Sequence, residues 1–320
     1  LSSVLAGKVS IGNWRGLPPG RAARRIDAAG GASPTGKSYC PAAGLSARIG
    51  CLIRRNDQPT MTLTEALLVA LGAFLAGGMN AIAGGGTFFS FPAMLAAGVP
   101  PVTANASNSV ALWPASLSSA WAYRREAMRH GRWAILLVIV SLIGGLTGGL
   151  LLLATSNAAF SKLIPWLLLI ATSLFAFSAQ VSRLVAWSKR RFGAQASGQP
   201  NTGLGGALFQ LVVAIYGGFF GAGMGILTLA ALSIQGYEDM QELNALKNLT
   251  SAVNYTIAAL TFLIAGAISW PHTLVALATA TIGGMVGAAI AKRMPAIWLR
   301  RFVIAVGAVL TVIYFVKTYY

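Results

Sequence analysis

Asn244, Lys247, Asn248 and Ser251 stand at i, i+3, i+4 and i+7, which places all four on one face of a helix. The surrounding run is apolar, and a Lys at the centre of a membrane helix costs about 2.5–3.5 kcal/mol even on insertion scales. That face is therefore expected to look into a helix bundle, with Lys247 as counter-charge for an anion. The competing reading has Lys247 snorkelling to the interface near Glu238, Asp239 and Glu242. A second polar patch, ANASNS, brings Asn105, Ser107 and Asn108 into another apolar stretch. Amides, hydroxyls and one ammonium are groups that donate hydrogen bonds to an oxyanion.

Glycine runs precede both patches: AGGGT at 83–87 and GAGMG at 221–225. Each can break a helix inside a membrane, where lipid cannot satisfy the freed backbone groups and a cavity or ligand must. The helix that restarts after the break carries partial positive charge at its N-terminus and suits an anion. Gly85, Gly86 and Thr87 from the first run, and Gly223 and Gly225 from the second, join the candidate substrate-binding set. Close helix packing is the alternative use of such glycines.

Signals for other chemistry are missing. No GxSxG, HExxH or paired intramembrane carboxylate occurs, so no catalytic residue, metal site or cofactor is expected. Cys40 and Cys51 lie in the first 60 residues, and His130 and His272 are isolated near membrane edges. Glu65 is the one acid inside an apolar segment, and interface exposure or proton coupling explains it equally well. GASPTGKS, Gly31–Ser38, fits the phosphate-loop pattern G-x-x-x-x-G-K-[ST]. RRIDAAG before it is no strand, and YCPAAG after it, with Pro41, opposes a helix. No nucleotide is expected to bind there.

The elements that must position these residues follow from composition. Of 320 residues, 56% are apolar and 10% charged, against about a quarter charged in a soluble domain. Apolar runs of about 20 residues, long enough to cross a bilayer core, recur after residue 61. The net charge of +17 does not point to nucleic acid. Beyond residue 61 the Lys and Arg cluster mainly at 124–132, 183–191 and 292–301, as cytoplasmic loops do. Residues 1–60 are basic, rich in Gly, Ala, Ser and Pro, and read as a disordered extension. Met61 directly precedes the first apolar run and is expected to be the natural start.

GGGTFFSFPAMLAAG from Gly84 resembles AGMGILTLAALSIQG from Ala222 at an offset of 138. NASNSV from Asn105 and NALKNL from Asn244, then GGLTGG from Gly144 and GGMVGA from Gly283, keep offsets of 139. The expected fold is all-α: a polytopic membrane protein of about eight segments in two inverted halves, the first segment of each broken. The halves are 61–182 and 204–320, joined by a basic cytoplasmic linker at 183–203.

At Asn80–Glu126 (NAIAGGGTFFSFPAMLAAGVPPVTANASNSVALWPASLSSAWAYRRE) and Glu242–Pro271, the chain resembles the sulfite exporter TauE/SafE family of bacterial membrane proteins. The resemblance covers 61–320 and implies a secondary carrier, without ATP, for small sulfur-containing anions such as sulfite or organosulfonates. It also implies discontinuous helices around the site. The expected location is the inner membrane, with several passes, and the expected partners are the lipid bilayer, a small anionic substrate and a coupling ion, a proton or another, that the sequence does not identify. A passive anion channel, or an assembly or regulatory protein that moves nothing, is the alternative.

Overall fold

The computed structural model describes residues 61–82, 85–129, 131–191, 204–235, 237, 239–291 and 296–320. The chain divides into Leu1–Ala42 and Ala43–Tyr320, and the described residues belong to the second unit. The expected basic extension, with its Gly31–Ser38 motif, and residues 192–203 of the linker lie outside them.

Among the described residues there are eleven helices and no strand. They are α1 (Leu63–Ile82), α2 (Thr87–Ala96), α3 (Pro101–Ala122), α4 (Arg124–Met128), α5 (Gly131–Ala154) and α6 (Asn157–Arg191), then α7 (Leu204–Phe219), α8 (Met224–Ile234), α9 (Met240–Ile264), α10 (Trp270–Ala291) and α11 (Ala296–Tyr319). Four apolar stretches are long enough to span a bilayer: Leu63–Asn80, Gly131–Ala154, Asn157–Leu174 and Arg301–Tyr319. Leu67, Leu71, Ile139, Ile143, Ile170, Val212, Met285 and Val312 point outward and exposed. A water-facing surface would not carry so continuous an apolar coat. The protein is a polytopic helical membrane protein, and this coat faces lipid.

The helices begin and end where local chemistry requires. Thr62 and Glu65 form a reciprocal capping box at the start of α1, the Thr62 N–H donating to Glu65 Oε2 at 2.8 Å and the Glu65 N–H to Thr62 Oγ1 at 3.3 Å. Pro101 opens α3 at the first helical position, where its missing N–H costs nothing. Asp239 caps α9 by accepting from the Gln241 N–H at 2.9 Å. Helix α6 continues to Arg191, past the apolar stretch that ends near residue 182. Its last turns carry Arg183, Lys189, Arg190 and Arg191, which are good helix formers.

Both glycine runs break the helix. Around the first, α1 and α2 fold back on each other: Gly72 meets Phe89 and Ala93, and Gly86 meets Ala76. Around the second, α7 ends at Phe219, where the Gly221 N–H donates back to the Tyr216 carbonyl at 3.3 Å. Gly85, at φ 87°, and Gly223, at φ 76°, occupy the left-handed region that permits each restart. The Tyr216 hydroxyl donates to the Ala222 carbonyl inside the second break at 2.7 Å. Tyr216→Phe removes only that oxygen and is expected to cost about 1–3 kcal/mol, measurable as a lower thermal midpoint in detergent.

An aromatic cluster ties the two breaks together. Phe91 of α2 packs edge-on against Phe220 at the second break, with centroids 5.4 Å apart, and against Phe160 of α6 at 6.3 Å. Phe160 also meets Phe219 at 5.6 Å. Such edge-to-face contacts add to the gain from burial alone.

Small residues decide which helices touch most closely. Gly77 and Gly78 of α1 lie against Ala280, Gly283 and Gly287 of α10, and Gly144, Gly145 and Gly148 of α5 lie against Ala214, Ile215 and Gly218 of α7. In each pair the residue numbers rise together, so the helices run parallel. Without a hydrophobic drive between lipid-bathed helices, close approach at small residues supplies the packing energy.

Candidate functional site

The two breaks meet at one cavity of about 100 Å³. Gly85 and Thr87 line it from the first break, and Gly221, Gly223, Met224 and Gly225 from the second. Helix α9 contributes Lys247, Asn248, Ser251 and Tyr255, helix α3 Ser116 and Ser119, and helix α1 Asn80. Neither α2 nor α8 has a side-chain cap at its N-terminus. Two helix starts, with their partial positive charge, therefore border the same space.

The side chains around it are donors. Lys247 is partly buried, and its Nζ donates to Asn244 Oδ1 at 3.3 Å. No carboxylate pairs with it among the described residues, and none lines the cavity. The Tyr255 and Thr87 hydroxyls line the cavity together. Gly225 makes room for the ammonium stem: a Cβ there would stand 3.6 Å from Lys247 Cδ. An ammonium, hydroxyls, amides and two helix N-termini make a receptor suited to a small oxyanion.

The residues singled out in the sequence separate into two groups. Gly85, Thr87, Gly223, Gly225, Lys247, Asn248 and Ser251 come together on the cavity. Gly86, Asn105, Ser107, Asn108 and Asn244 stand behind it. Gly86 packs against Ala76, and its carbonyl accepts from the Phe89 N–H at 2.9 Å. Asn105 Nδ2 donates to the Phe219 carbonyl at 2.8 Å, holding the last residue of α7 where the second break begins. Asn108 accepts from Ser90 Oγ, and its amide reaches Thr87 Oγ1 at 3.5 Å. Ser107 Oγ accepts from the Ser269 N–H at 2.9 Å. Asn244 touches the site through Lys247.

Asn80, Ser116, Ser119 and Tyr255 line the cavity without having been singled out. Tyr255 continues the face of Lys247 and Ser251 by one more i+4 step, and its ring disguises it as an apolar residue. Ser116 and Ser119 stand at i+11 and i+14 from Asn105, on the same face of α3 as Asn105 and Asn108, whereas Asn80 has no neighbouring polar face to mark it. Their places follow from the fold-back of α1 and the crossing of α3.

His272, expected near a membrane edge as an interfacial residue, is buried at 4% exposure. It sits one residue after Pro271, in the first turn of α10, under α1 and α3.

The chain matches the family described as sulfite exporter TauE/SafE over residues 69–314. A probable membrane transporter protein of Haemophilus influenzae is 28% identical over 77% of this chain and 92% of its own length. The probable membrane transporter protein YfcA of Escherichia coli is 25% identical over 75% of this chain and 85% of its own. The probable membrane transporter protein ORF9 of Sinorhizobium sp. is 30% identical over 30% of this chain and 37% of its own. No solved structure matches. The match at 69–314 takes in both breaks and every residue on the cavity: the chain belongs to the sulfite exporter TauE/SafE family and is a membrane transporter of that type.

Proposed function

We propose that this protein is a secondary carrier that exports small sulfur-containing anions, such as sulfite or organosulfonates, across the inner membrane by alternating access. The observation that carries this reading is the cavity itself, where two helix starts without a side-chain cap meet a lysine that no carboxylate among the described residues neutralises. Lys247 supplies the charge, and Ser251, Asn248, Thr87 and Tyr255 the hydrogen bonds that fix the oxygens.

The exchange of partners between halves supports a duplicated, inverted architecture. Helix α1 packs against α10, and α7 against α5, so the first arm of each half lies on the third segment of the other. At an offset of 138, Gly225 stands where the first half has Thr87; at 139, Lys247 stands where it has Asn108. A small residue facing a long cation has replaced a hydroxyl facing an amide. The charge therefore comes from one half and a neutral donor pair from the other. Rocking of two such halves about a shared site is the usual route to alternating access.

Purified protein in proteoliposomes, offered sulfite, methanesulfonate, sulfate and thiosulfate with and without a pH gradient, tests this directly. Accumulation of sulfite or the sulfonate against its own gradient is the expected result. Flux that no ion gradient can concentrate identifies a channel instead, and a protein that moves none of the panel is no carrier of these anions.

A further inference from the structure

One wall of the cavity carries no donor side chain. Helix α8 supplies Met224, Ile226 and Leu229 to it. This helix faces the donors of α9, since a Cβ at Gly225 would stand 3.6 Å from Lys247 Cδ. Met224 is buried at 3% exposure. Its thioether fills the notch left by Gly217, where an added Cβ would fall on Sδ and stand 3.1 Å from Asn254 Oδ1. Ile226 packs against the larger buried core, and Leu229 against the smaller one of Trp133, Leu137, Leu232 and Leu246. Packing from behind therefore braces the wall. At an offset of 138 the first half has Gly86 in the place of Met224, so this apolar filling belongs to the second break alone.

We infer that the cavity takes a short-chain alkanesulfonate in preference to a bare oxyanion, and that Met224 limits the length of its alkyl group. The inference rests on the anion-carrier reading for transport and deepens it by naming the substrate class. A sulfonate has its oxygens on one side of the sulfur and its carbon on the other. Lys247, Asn248 and Ser251 meet the oxygens, while the carbon lies against Met224, Ile226 and Leu229. Sulfate turns an oxygen toward every side, so one would lose its water against an apolar wall and gain no donor. Sulfite fits the donors but leaves the wall uncovered, forgoing the gain from burying carbon. Size sets the limit. A cavity of about 150 Å³ holds benzene, so one of about 100 Å³ takes a sulfonate head with about one or two carbons. Met224 closes the space toward Gly217, so its side chain decides where a longer chain must stop.

Full-length protein in detergent, with thermal midpoints read over a concentration series of each anion, gives the order of binding. The panel is sulfite, sulfate, methanesulfonate, ethanesulfonate and butanesulfonate as sodium salts at constant ionic strength. Lys247→Ala, which lacks the cavity's cation, supplies the baseline for general salt effects. Methanesulfonate and ethanesulfonate are expected to stabilise the wild type at about tenfold lower concentration than sulfate or sulfite. Butanesulfonate should fall about tenfold behind ethanesulfonate. Met224→Ala opens the space toward Gly217 and is expected to bring butanesulfonate level with ethanesulfonate. Met224→Gln keeps the length but makes the wall polar, so the chain limit stays and the preference over sulfate shrinks. Leu229→Ala repeats the test on a residue outside the second break, should Met224→Ala not fold.

Sulfate or sulfite binding as tightly as ethanesulfonate overturns the preference, as does stabilisation by none of the panel beyond the Lys247→Ala baseline. A chain limit that folded Met224→Ala leaves unmoved overturns the role of Met224. One that Leu229→Ala also leaves unmoved overturns the apolar wall. The expected order of binding, in a protein that moves no sulfonate in proteoliposomes, sinks the carrier reading and leaves the binding site standing.

Discussion

Lys247→Ala is expected to cut sulfite flux at subsaturating concentration by about 30-fold or more. Truncating one partner of a desolvated charge pair costs about 2–5 kcal/mol, and each 1.4 kcal/mol is a factor of ten. The anion would lose the only cation on the cavity and keep the hydroxyls, amides and helix starts, which bind more weakly. The same variant should leave thermal stability unchanged or slightly raised. The wild-type ammonium is partly buried with an amide oxygen as partner and no carboxylate among the described residues, and a charge held away from water without a counter-charge stabilises nothing. Lost flux with a retained thermal midpoint is therefore the signature of a binding role. Lys247→Arg keeps the charge but fills the space that Gly225 leaves open, so partial flux is expected. Full-rate transport by Lys247→Ala would sink the counter-charge hypothesis.

Gly77→Ala is expected to have the largest effect on stability of any single methyl added at a described glycine. A Cβ at Gly77 would fall on the Ala280 carbonyl, which is backbone and cannot rotate away. Helices α1 and α10 would have to separate along a seam that also includes Gly78, Gly283 and Gly287. Overpacking of this kind costs about 1–3 kcal/mol, and here the damage passes to the hairpin of α1 and α2 and so to the first break. Gly205→Ala is the matched control. Nothing stands within 4 Å of its Cβ, and Ala is the better helix former, so neutrality or a small gain is expected. Thermal midpoints in detergent compare the two. Equal midpoints for the two variants would show that the α1–α10 seam is looser than its backbone contacts imply.

Much of the site was legible because polar residues inside apolar runs are costly and therefore informative. The i, i+3, i+4, i+7 spacing put Lys247, Asn248 and Ser251 on one face, and these three do line the cavity. The glycine runs marked both breaks for the same reason: an apolar stretch too long for one crossing must be interrupted somewhere. Asn105, Ser107 and Asn108 were equally visible, but periodicity cannot tell a side chain that faces a ligand from one that faces a neighbouring backbone. Asn105 spends its amide on the Phe219 carbonyl, a partner 114 residues away. Glu65 looked like either an interface acid or a proton site, and the structure gives it a capping role that was written in Thr62-x-x-Glu65 all along.

The sequence by itself determined the solvent, the class of fold and the chemical character of the site, because each depends on composition and on spacing along single helices. A chain with 10% charge and repeated apolar runs has no soluble alternative, and a lone intramembrane lysine among amides has few uses. Tertiary structure alone decided which of the polar residues share a cavity and which brace it. It also brought in Tyr255, Asn80, Ser116 and Ser119, and it buried His272. Those outcomes depend on contacts between helices far apart in the chain. Backbone approach at small residues and the aromatic cluster between the breaks set these contacts, and a one-dimensional pattern carries no record of them.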